Sequence, residues 1–135
     1  MHAVHTKFIS GLAFNAQIGN HNVLMDSSET GADTGASPKK LMLAALAGCT
    51  GIDVVSILNK MKVPFSDLAI DVTAALTDIH PKMYKEVTVN YQIRVQNDHR
   101  KNVLKAVKLS QDKYCGVYAM FTAFSTVTSQ VTFLD

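Results

Sequence analysis

One stretch of this chain constrains its fold more than any other. From Ser37 the sequence runs Ser-Pro-Lys-Lys-Leu-Met-Leu-Ala-Ala-Leu-Ala-Gly-Cys-Thr-Gly-Ile-Asp-Val-Val and continues to Lys62, where Val63-Pro64 interrupts it. Ser37 suits an N-cap, because its side-chain oxygen can accept from a free amide of the first turn. Pro38 suits the first helical position, where no N–H is needed. Pro64 disfavours helical backbone just before it, so the spacing predicts a helix over 38–62. At 1.5 Å per residue that is a rod of roughly 37 Å. Leu41, Met42, Leu43, Ala44, Ala45, Leu46 and Ala47 cover every direction around it. A helix apolar all round must be buried all round. A chain of 135 residues has little material to wrap such a rod, so a second subunit is expected to supply part of the cover.

The same stretch is apolar enough to raise the question of a membrane span. Thr50, Asp53 and Ser56 break it, and half-buried strands follow, which favours a core helix and no membrane. The opening residues, MHAVHTKFIS, hold no apolar segment of signal-peptide length. The expected location is the cytoplasm.

The rest of the chain reads as short elements around this helix. Leu12, Phe14, Ala16 and Ile18 alternate with Ala13, Asn15 and Gln17, Gly11 and Gly19-Asn20 punctuate the ends, and Asn22 to Met25 makes a further strand. Asp26 to Ser37 is polar and glycine-bearing, and reads as an exposed loop within one domain. After the helix, Leu68, Ile70, Val72, Ala74 and Leu76 share one face of a strand. Val87, Val89, Tyr91, Ile93 and Val95 share one face of the next, with His80-Pro81 between them. This is an antiparallel hairpin with one wet face. Asp98 is placed to cap an amphipathic helix through about Asp112, with Val103, Leu104 and Val107 inward and Lys101, Lys105 and Lys108 outward. A short apolar helix over about Cys115 to Phe121 and a strand near Thr126 to Phe133 complete the order βββ-α-ββ-αα-β. That is an α+β single domain over 1–135 with a long central buried helix.

Composition closes off several functions. The net charge is only +2 and charged residues are 18% of the chain, and the basic residues lack the aromatic interleaving of single-strand binders, so no nucleic-acid partner is expected. The five histidines do not assemble: His2 and His5 fall on opposite faces of a strand, and His21, His80 and His99 fall in or beside turns. No metal site, phosphate loop or nucleophile elbow is visible.

Two cysteines remain as candidate chemistry. They are compatible with two buried thiols, a structural disulfide or a redox couple. Cys49 lies mid-helix between Gly48 and Thr50-Gly51, and glycines there cost about 1 kcal/mol each relative to alanine, so something is expected to approach the backbone. It borders the polar line Thr50, Asp53, Ser56, which repeats every three residues. Cys115 follows Tyr114 at the start of the short helix, where the macrodipole favours an anion and would make it the easier thiolate. Tyr118, Phe121 and Phe124 could line an apolar pocket nearby. Asp53 needs hydrogen-bond partners on so apolar a helix, and reads as a satisfied structural carboxylate. It cannot promote a thiolate, because a negative neighbour raises a thiol's pKa. Lys39 and Lys40 stand at the wrong end of the helix dipole and read as solvated.

The run from Ser37 to Cys49, continued by Ile52-Asp53-Val54-Val55, resembles the cysteine helix of the OsmC/Ohr family. Ala106-Val107-Lys108-Leu109-Ser110 through Lys113-Tyr114-Cys115 resembles that family's second cysteine segment. The likeness extends over essentially the whole chain and lies nearest the YhfA-type branch of small bacterial OsmC-like proteins. It implies the OsmC-like fold, an intertwined homodimer, with two central helices packed between sheets. It also implies thiol-dependent reduction of small or organic hydroperoxides, in oxidative stress defence, without a cofactor. By position, Cys49 would be the peroxidatic and Cys115 the resolving cysteine, and the resulting disulfide would be returned by an external dithiol, lipoyl-type in the Ohr branch. Active Ohr-type members carry a glutamate where this chain has Lys39, and an arginine in the N-terminal strands, whereas Arg94 and Arg100 are the only arginines here. The other reading is a non-catalytic protein of this fold that binds an apolar ligand or partner and keeps two near-inert cysteines.

Overall fold

In the computed structural model, which describes residues 1–135, the order is β1 (His5–Ser10), β2 (Ala13–Ile18), β3 (His21–Met25), α1 (Pro38–Lys60), β4 (Ser66–Leu76), β5 (Tyr84–Arg94), α2 (Arg100–Leu109), α3 (Gly116–Phe124) and β6 (Thr126–Phe133). The mixed α+β order is the expected one. The chain divides into two units, residues 1–42 and 43–135.

In the first unit β1, β2 and β3 form an antiparallel sheet in sequence order. The reversals at Gly11 (φ 55°) and Gly19 (φ 60°) use left-handed backbone that glycine enters without a Cβ penalty. The alternation along β2 forms the strand but does not set its burial. Ala13 and Ala16 are the buried residues, while Leu12, Phe14 and Ile18 stay 42–49% exposed. Phe8 and Phe14 are partners across the sheet and meet edge-on, with centroids 5.5 Å apart.

The loop 26–37 is more ordered than its polarity suggests. Asp26 is buried, and its carboxylate accepts from the Ser27 amide (2.7 Å), the Thr34 amide (3.0 Å) and the Thr34 hydroxyl (2.6 Å). A parallel bridge joins Met25 to Ala36. A Cβ at Gly31 would stand 2.5 Å from Asp26 Oδ1, and one at Gly35 would stand 2.5 Å from the Leu24 carbonyl oxygen, so the chain closes around Asp26 only with glycine at both points. The Thr34 hydroxyl, then the Thr34 and Ser27 amides, hold this carboxyl below the usual carboxylate value. Its contribution to stability is therefore complete above the ordinary value of 3.8 and is lost as pH falls through the lower folded value. Asp26→Ala is expected to lower the melting temperature at neutral pH and to expose the loop to proteolysis, with the difference from wild type shrinking in acid. A cleavage assay at pH 7 with wild-type kinetics for the variant would contradict this.

In the second unit the sheet order is β4-β5-β6, with β4–β5 antiparallel and β5–β6 parallel. Tyr84, Val87, Val89, Tyr91 and Ile93 of β5 are all buried, the inner face that the period of two predicts. Leu46, Thr50, Val54 and Leu58 of α1 lie four apart and form its buried stripe. Leu46, Val54 and Leu58 share one core with the inner residues of β5 and with Val103, Ala106 and Val107 of α2. By length and hydropathy α1 could cross a membrane, but this stripe makes it a core helix. Within the chain only that one side is covered: Ile52 is 73% exposed. Burial on every side is thus not reached within a single chain.

Three local expectations change. Asp98 does not cap α2: a 3-10 turn over Asn97–His99 precedes the helix, and no side chain caps it. Leu104 is 51% exposed, because the buried stripe runs through Val103, Ala106 and Val107. The helix ends as α at Leu109 and widens into a π turn over Ser110–Tyr114, and that turn sets the geometry of the site.

Candidate active site

The π turn delivers Cys115. Its amide donates to the Ser110 carbonyl oxygen five residues back (2.8 Å), and it then takes up extended backbone (φ −82°, ψ 101°) as the N-cap of α3. There its Sγ accepts from the Tyr118 amide at 3.3 Å. Single π turns inside helices are uncommon and gather at functional sites. Cys49 is half-buried on α1, Cys115 is 3% exposed, and both are free. The two thiols are neighbours: hydrogen bonding with Cys49 is among the interactions acting on Cys115. The fold therefore brings together the two cysteines singled out in the sequence.

Burial overrides the thiolate stabilisation expected at Cys115 from the helix dipole. The Cys115 thiol is pushed up to about 12, first by removal from water and then by its hydrogen bond with Cys49, with the charges of Cys49 and Asp53 adding in the same direction. The Tyr118 amide at the helix start opposes them and is outweighed. Desolvation of a buried thiolate exceeds what one amide and a short helix return.

Beside the thiols runs a chain of hydroxyls, buried at Thr50, Tyr91 and Ser110 and open at its ends. Thr50 Oγ1 lies 2.8 Å from Tyr91 Oη and 2.7 Å from Ser110 Oγ, Ser110 donates to Asp53 Oδ2 at 3.0 Å, and Gln111 Nε2 donates to Tyr91 Oη at 3.2 Å and to Ser129 Oγ at 2.9 Å. Its polarity follows by elimination. An ionised carboxylate only accepts, so Ser110 spends its single proton on Asp53. Thr50 must then donate to Ser110, and Tyr91 to Thr50. Protons point from Gln111 through Tyr91, Thr50 and Ser110 toward Asp53. Asp53 is thus the satisfied carboxylate expected on the polar line. Burial raises the Tyr91 phenol, although Thr50 and Gln111 pull the other way, so it remains a donor. Tyr91, Ser110 and Gln111 were not picked out from the sequence. Two signals pointed there: a tyrosine on the inner face of β5, and a serine continuing the buried 103, 106, 107 stripe of α2.

Of the two helix glycines, Gly51 admits Ile70 of β4, whose Cδ1 would stand 3.1 Å from an added Cβ, while Gly48 meets nothing in this chain.

The sequence profile described as OsmC-like protein matches residues 31–130, a span that contains both cysteines and the whole hydroxyl chain. The chain belongs to the OsmC-like family. This OsmC-like protein is 30% identical over 123 residues to the protein YhfA of Escherichia coli K12, covering 90% of each chain. Its fold matches an OsmC-like protein of Mycoplasma pneumoniae with a TM-score of 0.87 at 12% identity, over 100% of this chain and 98% of that one. It also matches an organic hydroperoxide resistance protein of Elizabethkingia anophelis with a TM-score of 0.70 at 13% identity, over 99% and 98%.

In this OsmC-like protein the aromatic residues of α3 pack largely inward. Tyr118 and Phe121 are in the core, and Phe124 stacks on Phe121 at 4.9 Å. An open groove lies along α1 and α2, about 410 Å³ in volume, with Asp53, Lys60 and Lys105 around apolar Ile57, Met61 and Leu109. Neither arginine serves the thiols. Arg94 pairs with Asp67 at 2.9 Å, and the Arg100 guanidinium sits 4.8 Å above the Phe133 ring. Lys39 and Lys40 are exposed.

Proposed function

We propose that this protein is a thiol-dependent hydroperoxide reductase acting in the cytoplasm as a homodimer, with the whole chain as one OsmC-like domain. Cys49 is the attacking thiol. Its thiolate takes the distal oxygen of the hydroperoxide, the O–O bond breaks, and the products are a Cys49 sulfenic acid and an alcohol or water. Cys115 then displaces the sulfenic hydroxyl, its own proton leaves with that group as water, and a Cys49–Cys115 disulfide remains. An external dithiol returns both thiols by exchange. One observation carries this reading: two free cysteines, far apart in the chain, whose thiols are neighbours in the fold, one half-buried and one enclosed.

Proteins of the OsmC/Ohr family are generally homodimers acting on hydroperoxides, and relatives of the same fold are described as organic hydroperoxide resistance proteins. The open apolar residues of α1 and of the β1–β3 sheet, among them Ile52 and Phe14, support a second chain as their cover.

The test is peroxide consumption by the full-length protein with a dithiol reductant, paired with thiol titration after one equivalent of cumene hydroperoxide. Catalytic consumption and loss of two thiols per chain, without an intersubunit crosslink, are expected. No turnover with any reductant would leave the ligand-binding reading, which the absence of an arginine at the thiols favours.

A further inference from the structure

We propose that Ser110, held by Thr50 and Asp53, is the positioning group that keeps Cys115 in line with Cys49 for disulfide closure; this rests on the reading of the two cysteines as a redox couple. Ser110 bonds α1 at two points one turn apart, Thr50 Oγ1 at 2.7 Å and Asp53 Oδ2 at 3.0 Å, while its carbonyl oxygen holds the Cys115 amide at 2.8 Å. Thr50 directly follows Cys49. The path from one cysteine backbone to the other therefore crosses only two hydrogen bonds, Thr50 to Ser110 and Ser110 to Cys115.

Three features make this path a clamp. Thr50 and Ser110 are 0% exposed and Tyr91 is 1% exposed, so water does not compete for these bonds. Each hydroxyl proton has one destination, because the carboxylate at the end of the chain can only accept. The segment being held, Ser110–Tyr114, is a π turn, and an α-helix is the preferred winding for such a segment. Released from α1, it relaxes toward α geometry, changes the turn by one residue and swings Cys115 away. A disulfide tolerates little of that: its Cα atoms must lie within about 7 Å and its dihedral near 90°.

The experiment measures the Cys49–Cys115 disulfide equilibrium of the full-length protein in glutathione redox buffers, with thiols counted by mass spectrometry after acid quench. No peroxide is needed. Thr50→Val, which keeps shape and removes the hydroxyl, and Ser110→Ala are each expected to lower the effective thiol concentration by about tenfold or more. Thr50→Ser is expected to restore it to within about threefold. Leu58→Ala, a core truncation on the same helix that removes none of these hydrogen bonds, is the control for simple destabilisation and is expected to stay within about threefold of wild type. The clamp is overturned if Thr50→Val and Ser110→Ala close as readily as wild type, if Thr50→Ser fails to restore closure, if Leu58→Ala loses as much, or if the wild-type disulfide does not form. A wild-type protein that forms the disulfide but consumes no peroxide would sink the proposed reaction and leave the clamp standing.

Discussion

Replacing Cys49 by serine is expected to abolish peroxide consumption, whereas replacing Cys115 should leave the first oxidation intact and stop the cycle after it. The asymmetry follows from exposure and charge. Cys49 is half-buried and reachable, while Cys115 is 3% exposed and its thiol is pushed up to about 12, so it supplies almost no thiolate to attack an incoming oxidant. A serine hydroxyl cannot take over the attack at neutral pH, and Cys49→Ser should fall by about a thousandfold or more in rate. In Cys115→Ser the sulfenic acid forms with one equivalent of peroxide and then has no partner. It should be trapped by dimedone, and excess peroxide should drive it to the sulfinic acid. Stopped-flow consumption and intact mass separate the two variants. Equal loss of the first equivalent in both, or a wild-type rate in Cys49→Ser, would reverse the roles assigned to the thiols.

The second large effect is the resistance of Cys115 to alkylation in the reduced, folded protein. With its pKa at about 12, about one molecule in ten thousand holds the thiolate at pH 8. Iodoacetamide should therefore modify Cys115 about a thousandfold more slowly than an unperturbed thiol, and Cys49 first. Unfolding in urea should erase the difference, and peptide mapping after timed quenching reads both sites. The same shift has a sign for stability. Below the ordinary thiol value of 9.0 the folded and unfolded chains both keep this proton. Above it the unfolded chain loses the proton first, so stability falls as pH rises from 9.0 toward about 12. The Tyr84, Tyr91 and Tyr118 phenols, each raised by burial, add in the same direction from about 10 upward. Cys115→Ser should flatten the lower part of this alkaline limb in pH-dependent denaturation. An unchanged slope would contradict the assigned environment.

Displacement of the Cys49 hydroxyl does not require a free Cys115 thiolate at rest. Burial and the hydrogen bond with Cys49 hold the Cys115 proton in place, and in the proposed cycle that hydrogen bond changes once Cys49 has become a sulfenic acid. The proton then leaves with the departing hydroxyl. In the proposed cycle Cys115 is thus silent before oxidation and is needed only after it.

The central helix and the sheet strands were legible in the sequence because their signals are local. Ser37-Pro38 opens α1 and the residues before Pro64 close it, the period of two along β5 names its inner face, and the Thr50–Asp53–Ser56 line marks the polar flank beside Cys49. The two cysteines were legible as a pair through their sequence surroundings, which resemble those of one family. Burial was less legible: Phe14 and Leu104 sit on apolar patterns yet remain exposed, since a period tells which residues share a face but not what lies against it. Asp98 looked like a cap, and the backbone instead inserted a 3-10 turn.

The string of residues alone carries the family, the order of the elements and the two candidate cysteines. Folding is what silences the Cys115 thiol and sets Ser110 against Thr50 and Asp53. Thr50 meets Tyr91 across 41 residues and Ser110 across 60, and no local period encodes a hydrogen bond over such separations. The helix dipole at Cys115 is visible in a string of residues, but the desolvation that outweighs it arises from neighbours that folding alone assembles.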